Sequence, residues 1–199
     1  MTSFIVPEGA TPINDISGLK MDWVKTLLQL NAVEGENIYL AMKKHILRQR
    51  RPVHTWFRVS TLKKIHHDMF CDVWDWAGVY RKSNTNIGVR PYKIFTEVQQ
   101  LCDDVHFWLE QDAEMSYIEQ AARIHHRLVL THAFENGNGR HARLVADMFL
   151  KSNQQPYPHW PNELSGEGNS RKTYISALKE ADQGSFEALM NYMLTCSSL

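Results

Sequence analysis

With 22 basic and 22 acidic side chains among 199 residues, the chain is formally neutral at pH 7. That excludes a sequence-wide basic field for nucleic acid, though not a local patch. An apolar content of 43% is enough for one sizeable core, and three widely spaced cysteines (Cys71, Cys102, Cys196) argue against a disulfide framework.

The N-terminal segment MTSFIVPEGATPIND has no basic leader region and no long apolar run, and no stretch reaches membrane-span length. The expectation is a soluble, cytoplasmic protein with a single domain over 1–199. Residues 1–20 read as an arm, irregular over 1–16. From Met21 to Arg50 apolar residues recur at helical spacing, with a break near Gly35. The basic residues Lys43, Lys44, Arg48, Arg50 and Arg51 suit the last turn of that helix, and Pro52 ends it. Ser60 and Thr61 are candidate caps for a helix over 62–73, and Trp74–Arg81 reads as an aromatic corner.

Residues 82–91 are Asn-rich with Gly88 and Pro91, which predicts a short hairpin or loop. Amphipathic helices follow over 96–110 and from Ser116, where Ser116 and Glu119 fit a capping box. The second of these runs to about 131 and delivers His132 at its end. A helix over 140–151, a connection over 155–170 and closing helices at 171–181 and 185–194 complete an all-α domain with one short β-hairpin flap. There is no internal repeat.

The stretch His132-Ala-Phe-Glu-Asn-Gly-Asn-Gly-Arg-His-Ala-Arg143 carries the chemistry. Successive N–H groups of a Gly-rich turn form an anion-binding concavity, and a following helix start adds its positive dipole end. Arg140 and Arg143, three apart, can aim two guanidinium forks at one anion, and His132 stands where a general base could reach what reacts there. The physical reading is a phosphate cradle with a base beside it.

The whole constellation, His-x-Phe-x₂-Gly-Asn-Gly-Arg-x₂-Arg, resembles the signature of the Fic/Doc family. Trp76–Arg81 followed by Asn86-Ile87-Gly88 is similar to the Gly-x-Tyr-Arg stretch leading into that family's flap. Together with Leu30–Ile38 the chain resembles the subgroup called mobile mystery protein B. The resemblance implies a helical domain, with its core over 60–195, that transfers AMP from ATP to a Ser, Thr or Tyr hydroxyl of a target protein with Mg²⁺. It implies His132 as base and Gly137, Asn138 and Gly139 as the anion hole. Arg140 and Arg143 would bind the β- and γ-phosphates, Phe134 would be a buried anchor, and residues 81–92, with Asn86, Ile87 and Gly88, would be a flap that takes the target as an added strand. It further implies a small helix-turn-helix partner encoded on mobile elements; no membrane or direct nucleic-acid partner is expected.

Two positions depart from the family pattern. Ala133 stands for the usual proline, and Asn136 stands at the metal-ligand position normally held by an acid. An amide oxygen coordinates Mg²⁺ without charge, so more of the coordination falls to the nucleotide phosphates. Glu34-Gly35 is similar to the family's inhibitory Glu-(Gly/Asn) pair, with Leu30 where Ser or Thr is usual. On that resemblance 21–50 is an inhibitory region in which Glu34 pairs with Arg143; exposed helix charges at Glu34 and Glu36 are the alternative. His66-His67-Asp68 and His125-His126 invite a metal reading, but adjacent helical residues point about 100° apart and make poor chelates. Packing is favoured for them, and core positions for most tryptophans. The rival functions are transfer of another nucleotide or a phosphate, a degenerate nucleotide- or partner-binding domain, and a metal phosphohydrolase.

Overall fold

A computed structural model describes residues 17–47, 51–111, 114–161 and 169–197. The irregular arm expected over 1–16, the basic residues Arg48 and Arg50 and part of the 155–170 connection lie outside them. The described residues hold eight α-helices: α1 (Leu27–Met42), α2 (Val53–Trp56), α3 (Val59–Phe70), α4 (Ile94–Glu110), α5 (Tyr117–Thr131), α6 (Asn138–Ser152), α7 (Asn169–Asp182) and α8 (Glu187–Ser197). None is long and apolar enough to cross a membrane.

α5 and α6 lie side by side at the centre, with α4 and α8 on α5, and α3 on both α6 and α1. Their seam is filled by Ile124, Val145, Met148 and Phe149, and by Ile65, Met69 and Phe70 from α3, all fully buried. Trp56 and Trp74 are fully buried as well, whereas Trp23 is exposed.

The helix ends refine the sequence reading. α1 begins at Leu27, not Met21, because Thr26 and Gln29 make a capping box: the Thr26 hydroxyl accepts from the Gln29 N–H (3.2 Å) and Gln29 Oε1 accepts from the Thr26 N–H (3.1 Å). Gly35 causes no break; α1 runs through it and continues as a π-helical turn over Lys43–Leu47. α3 starts at Val59, ahead of its expected caps, with no side-chain cap on Arg58. Ser116 does cap α5 through the Glu119 N–H (3.3 Å). Glu119 itself turns forward to pair with Arg123 (2.8 Å), leaving half a capping box.

The expected β-hairpin over 81–92 is absent. The described residues contain one isolated antiparallel bridge, Leu19 with Trp74, and no ladder. The flap runs as bends into a 3₁₀ turn at Pro91–Lys93. Its ends pair with the α5–α6 connection instead of with each other: the Arg81 N–H donates to the Ala133 carbonyl (3.0 Å) and the Val89 N–H to the Thr131 carbonyl (3.4 Å).

α1 is clasped to α3 by polar contacts. Asn37 exchanges hydrogen bonds with the Asp72 N–H and carboxylate, both 3.1 Å. The Asp68 carboxylate takes Lys44 (2.8 Å), His45 (2.9 Å) and Lys64 (3.1 Å). Burial pushes the Asp68 carboxyl up, but the bonds from Lys44, Lys64 and His45 outweigh it and hold it at about 2.

Candidate active site

His132 closes α5 in the left-handed region, at φ 50° and ψ 57°. Such a conformation is unfavourable for a residue with a Cβ and persists where neighbours over-determine it. Its ring is buried. Burial first, then the Arg81 charge, pushes the imidazole down to about 4, against an opposing backbone hydrogen bond at Val129. His132 is therefore neutral near pH 7, the form a general base requires.

The next residues fold into a turn that satisfies its own backbone. Asn138 accepts from the Phe134 N–H (2.9 Å) and donates to the Phe134 carbonyl (2.8 Å). Asn136 Oδ1 accepts from the Gly137 N–H (2.6 Å). Gly137 sits at φ 78°, and a Cβ there would lie 2.4 Å from the buried Phe70 ring, so the position needs glycine twice over. Gly137 is also the N-cap of α6 and has no side chain with which to cap it. The first N–H groups of α6, which like those of any helix have no intrahelical acceptor, therefore have no side-chain cap from the N-cap residue either and mark an electropositive end.

Phe134 is buried and stacks on His66, ring centroids 3.6 Å apart. The Gly78 N–H donates to His66 Nδ1 (3.0 Å), which leaves Nε2 to donate to the Asn136 carbonyl (3.0 Å). His66 is thus a neutral strut under the turn. His141, whose Nε2 donates to the Leu62 carbonyl (2.9 Å), joins the turn to α3. His125 bonds the Tyr174 hydroxyl (2.8 Å), and the more exposed His67 adjoins Asp68. Among the described residues no three His, Cys, Asp or Glu side chains are grouped to hold a metal.

A cavity of about 980 Å³ opens over the cradle, and Glu34, His132, Gly139, Arg140, Arg143 and Trp160 all line it. A Cβ on Gly139 would meet only Arg143 Nη1 (3.8 Å) and Tyr174 Oη (4.0 Å), ordinary contacts, so the space above this glycine belongs to the cavity. The two arginines part company. Arg143 lies over the Trp160 and Tyr174 rings, its guanidinium 5.9 and 6.0 Å from their centroids. Arg140 lies over Phe70 (4.9 Å) and donates to Glu34 Oε2 (2.6 Å).

Glu34 is 2% exposed, so it is no surface charge. Its partner is Arg140, not the Arg143 that the resemblance suggested. Trp74 Nε1 donates to the other carboxylate oxygen (2.7 Å), and this second anchor fixes the carboxylate where α1 crosses the start of α6.

Of the flap residues, Ile87 lines the cavity, Asn86 is exposed, and Gly88 (φ 101°) packs so closely that a Cβ would lie 2.5 Å from that of His132. Among the described residues the side chains do not form a Mg²⁺ site of their own. The sole oxygen at the expected position is the neutral Asn136 amide, already used by the Gly137 N–H, and neighbouring Glu135 turns to Ser83 (3.4 Å).

Several structural contributors escaped the sequence reading. Trp74, Arg81 and His66 were in view only as members of a corner or a histidine pair. Asp147, buried against Arg143 and holding the Trp160 indole N–H at 2.9 Å, had no signal at all beyond its place four residues after Arg143.

Comparison with known proteins agrees with this geometry. Residues 56–150 match the model of the Fic/DOC family. Protein adenylyltransferase fic-1 of Caenorhabditis briggsae is 34% identical over 120 residues, 59% of this chain and 22% of that protein. The same-named protein of Caenorhabditis elegans is 28% identical over 123 residues. The chain thus spans about a fifth of the curated relatives it matches. Among solved structures, Fic-1 (residues 134–508) from C. elegans superposes with a TM-score of 0.66 at 24% identity, over 89% of this chain and 50% of that one. The N-terminal Fic domain of a Bartonella quintana Bep effector with bound ADP gives 0.67 at 18% identity, over 92% of both chains. Residues 56–150 of this chain are a Fic/DOC family domain.

Proposed function

We propose that the chain is a protein adenylyltransferase that moves AMP from ATP to a hydroxyl side chain of a target protein. The observation that carries this reading is that a neutral buried imidazole, an uncapped helix N-terminus and two arginines all open onto one shared cavity. The curated relatives are named protein adenylyltransferases, and two solved Fic proteins hold ADP or AMPPNP, which supports a nucleotide as the occupant.

In this reading the backbone of Gly137, Asn138 and Gly139 receives the phosphates, the Gly137 N–H exchanging its Asn136 acceptor for a phosphate oxygen, and Arg143 binds them from its aromatic seat. His132 takes the proton of the target hydroxyl as its oxygen attacks the α-phosphorus, and pyrophosphate leaves. Preorganised N–H donors and guanidinium charge offset the charge that develops on the phosphoryl oxygens. Mg²⁺ belongs to the proposal as a companion of the nucleotide phosphates, with Asn136 contributing at most one neutral oxygen. An imidazole at about 4 is a weak base, so phosphate charge beside it must raise its proton affinity. Titration of His132 by NMR is expected to move toward neutrality when ATP is added.

Glu34 is proposed as a built-in inhibitor: while it holds Arg140, that guanidinium is withheld from the phosphates. The small helix-turn-helix partner and the affiliation with the mobile mystery protein B subgroup are further proposals.

The test is incubation of a lysate with ATP labelled at the α- or the γ-phosphate, comparing wild type, His132→Ala and Glu34→Gly. Label from the α-position, absent in His132→Ala and increased in Glu34→Gly, is the expected result. Transfer from the γ-position would make the chain a kinase, and nucleotide binding without His132-dependent labelling would make it a binding domain.

A further inference from the structure

Arg81 is 3% exposed, and no carboxylate is paired with it among the described residues. Burial lowers the proton affinity of the guanidinium, with only the charge of Glu135 opposing. A desolvated cation is costly unless its donors are all used well, and here the fork is spent on three carbonyls. Nε donates to the His132 carbonyl (2.5 Å), Nη1 to Ser83 (2.8 Å) and Nη2 to Val89 (2.5 Å). The first acceptor belongs to the left-handed residue that ends α5; the other two lie at the start and the end of the flap.

The backbone repeats the same connection. The Arg81 and Val89 N–H groups donate to Ala133 and Thr131, the residues on either side of His132. Gly88 lies against the His132 Cβ and Arg81 Nη2, where an added Cβ would stand 2.5 and 2.8 Å away. No β-ladder holds the flap, so this one side chain does what cross-strand pairing does elsewhere.

We propose that Arg81 is the positioning residue of the site, fixing the backbone of His132 and both ends of the flap as one body. It touches neither reacting atoms nor cavity: its role is to set where the imidazole stands relative to a segment lying on the flap. Lysine cannot replace it, because a point charge with three donors does not span three carbonyls in one plane. This deepens the proposed function and rests on His132 being the working base.

The experiment needs neither nucleotide nor target, so its failure is distinct from failure of adenylyl transfer. Amide hydrogen exchange and the His132 titration are measured by NMR on the full chain for wild type, R81K and R81M. Exchange at Val89 is expected to accelerate about tenfold or more in both variants while amides of α5 and α6 stay protected. The His132 pKa should stay low in R81K and rise in R81M. Arg81 is the charged group facing the ring, and neighbouring Glu135 turns to Ser83. Wild-type exchange at Val89 in folded R81K and R81M would overturn the proposal. Should either variant fail to fold, Gly88→Ala supplies the same readout: Val89 protection is expected to be lost with α5 intact, and its retention would overturn the coupling.

Discussion

Two loops face the cavity, and they are built in opposite ways. The turn from His132 to Gly137 closes on itself: Asn138 and Asn136 satisfy its amides, Phe134 anchors it, His66 braces it from α3, and His141 ties the start of α6 to the Leu62 carbonyl of α3. The flap has no comparable internal frame. Its Thr85–Ile87 contact (2.5 Å) is local, Ser83 meets Glu135 only weakly, and the main hold comes from Arg81 and from the backbone of residues 131 and 133. The difference matches the tasks proposed for them. A phosphate has one shape and suits a rigid array of donors, whereas a target segment varies and suits a loop whose side chains remain exposed.

Acid should break the comparison most strongly, because buried histidines stand in the turn and in the helices around it and none lies in the flap. Burial holds His132 and His141 at about 4 and His125 at about 3, and keeps His66 well below its ordinary value. Unfolded imidazoles bind protons below about 6.5. The unfolded state therefore takes up more protons as pH falls, and stability is full above 6.5 and is lost toward pH 4. Urea unfolding at pH 7 and pH 4.5 should differ by several kcal/mol, on the order of 1.4 for each pH unit by which a buried ring is displaced. A pH-independent midpoint would refute the assignment.

Gly137→Ala comes next. Its Cβ would strike the fully buried Phe70 ring from a left-handed backbone, and about 3 kcal/mol of stability should go, with nucleotide affinity falling alongside. Asn138→Ala removes the bridge between the Phe134 N–H and carbonyl, both buried, and about 2 kcal/mol is expected from thermal or chemical unfolding. At the small end, Ser83→Ala in the flap touches only a weak contact with Glu135 at 3.4–3.5 Å and should change stability by less than about 0.5 kcal/mol. A larger loss there would mean that the flap carries more of the fold than its contacts indicate.

The helices were largely legible because their signals are local. Ser116 before an apolar-periodic run and the Gly-Asn-Gly turn each act within a few residues, whereas Pro52, expected to end the first helix, stands as the N-cap of α2. The hairpin was misread for the same reason: Asn, Gly and Pro signal a turn, but nothing local reveals that Arg81 will reach across to the residues flanking His132. Glu34 illustrates the other limit. The Glu-Gly pair drew attention to it, but its pairing with Arg140 and not Arg143, with Trp74 from forty residues away on the second carboxylate oxygen, has no local signal. His66 likewise gains its role from Gly78 and Asn136, twelve and seventy residues distant.

If Glu34 acts as proposed, its ion pair with Arg140 also sets a threshold for whatever enters the cavity. A carboxylate carried on the same chain competes for that guanidinium at a fixed local concentration, which for short tethers is on the order of mM and for a docked helix greater. On that proposal an anion that uses Arg140 would be measured against this internal rival, and occupancy would respond to how much ligand is present and not merely to whether it is. Anything that lifts α1 from α3, where Asn37 and Asp68 hold it, would lower that threshold without touching the cradle.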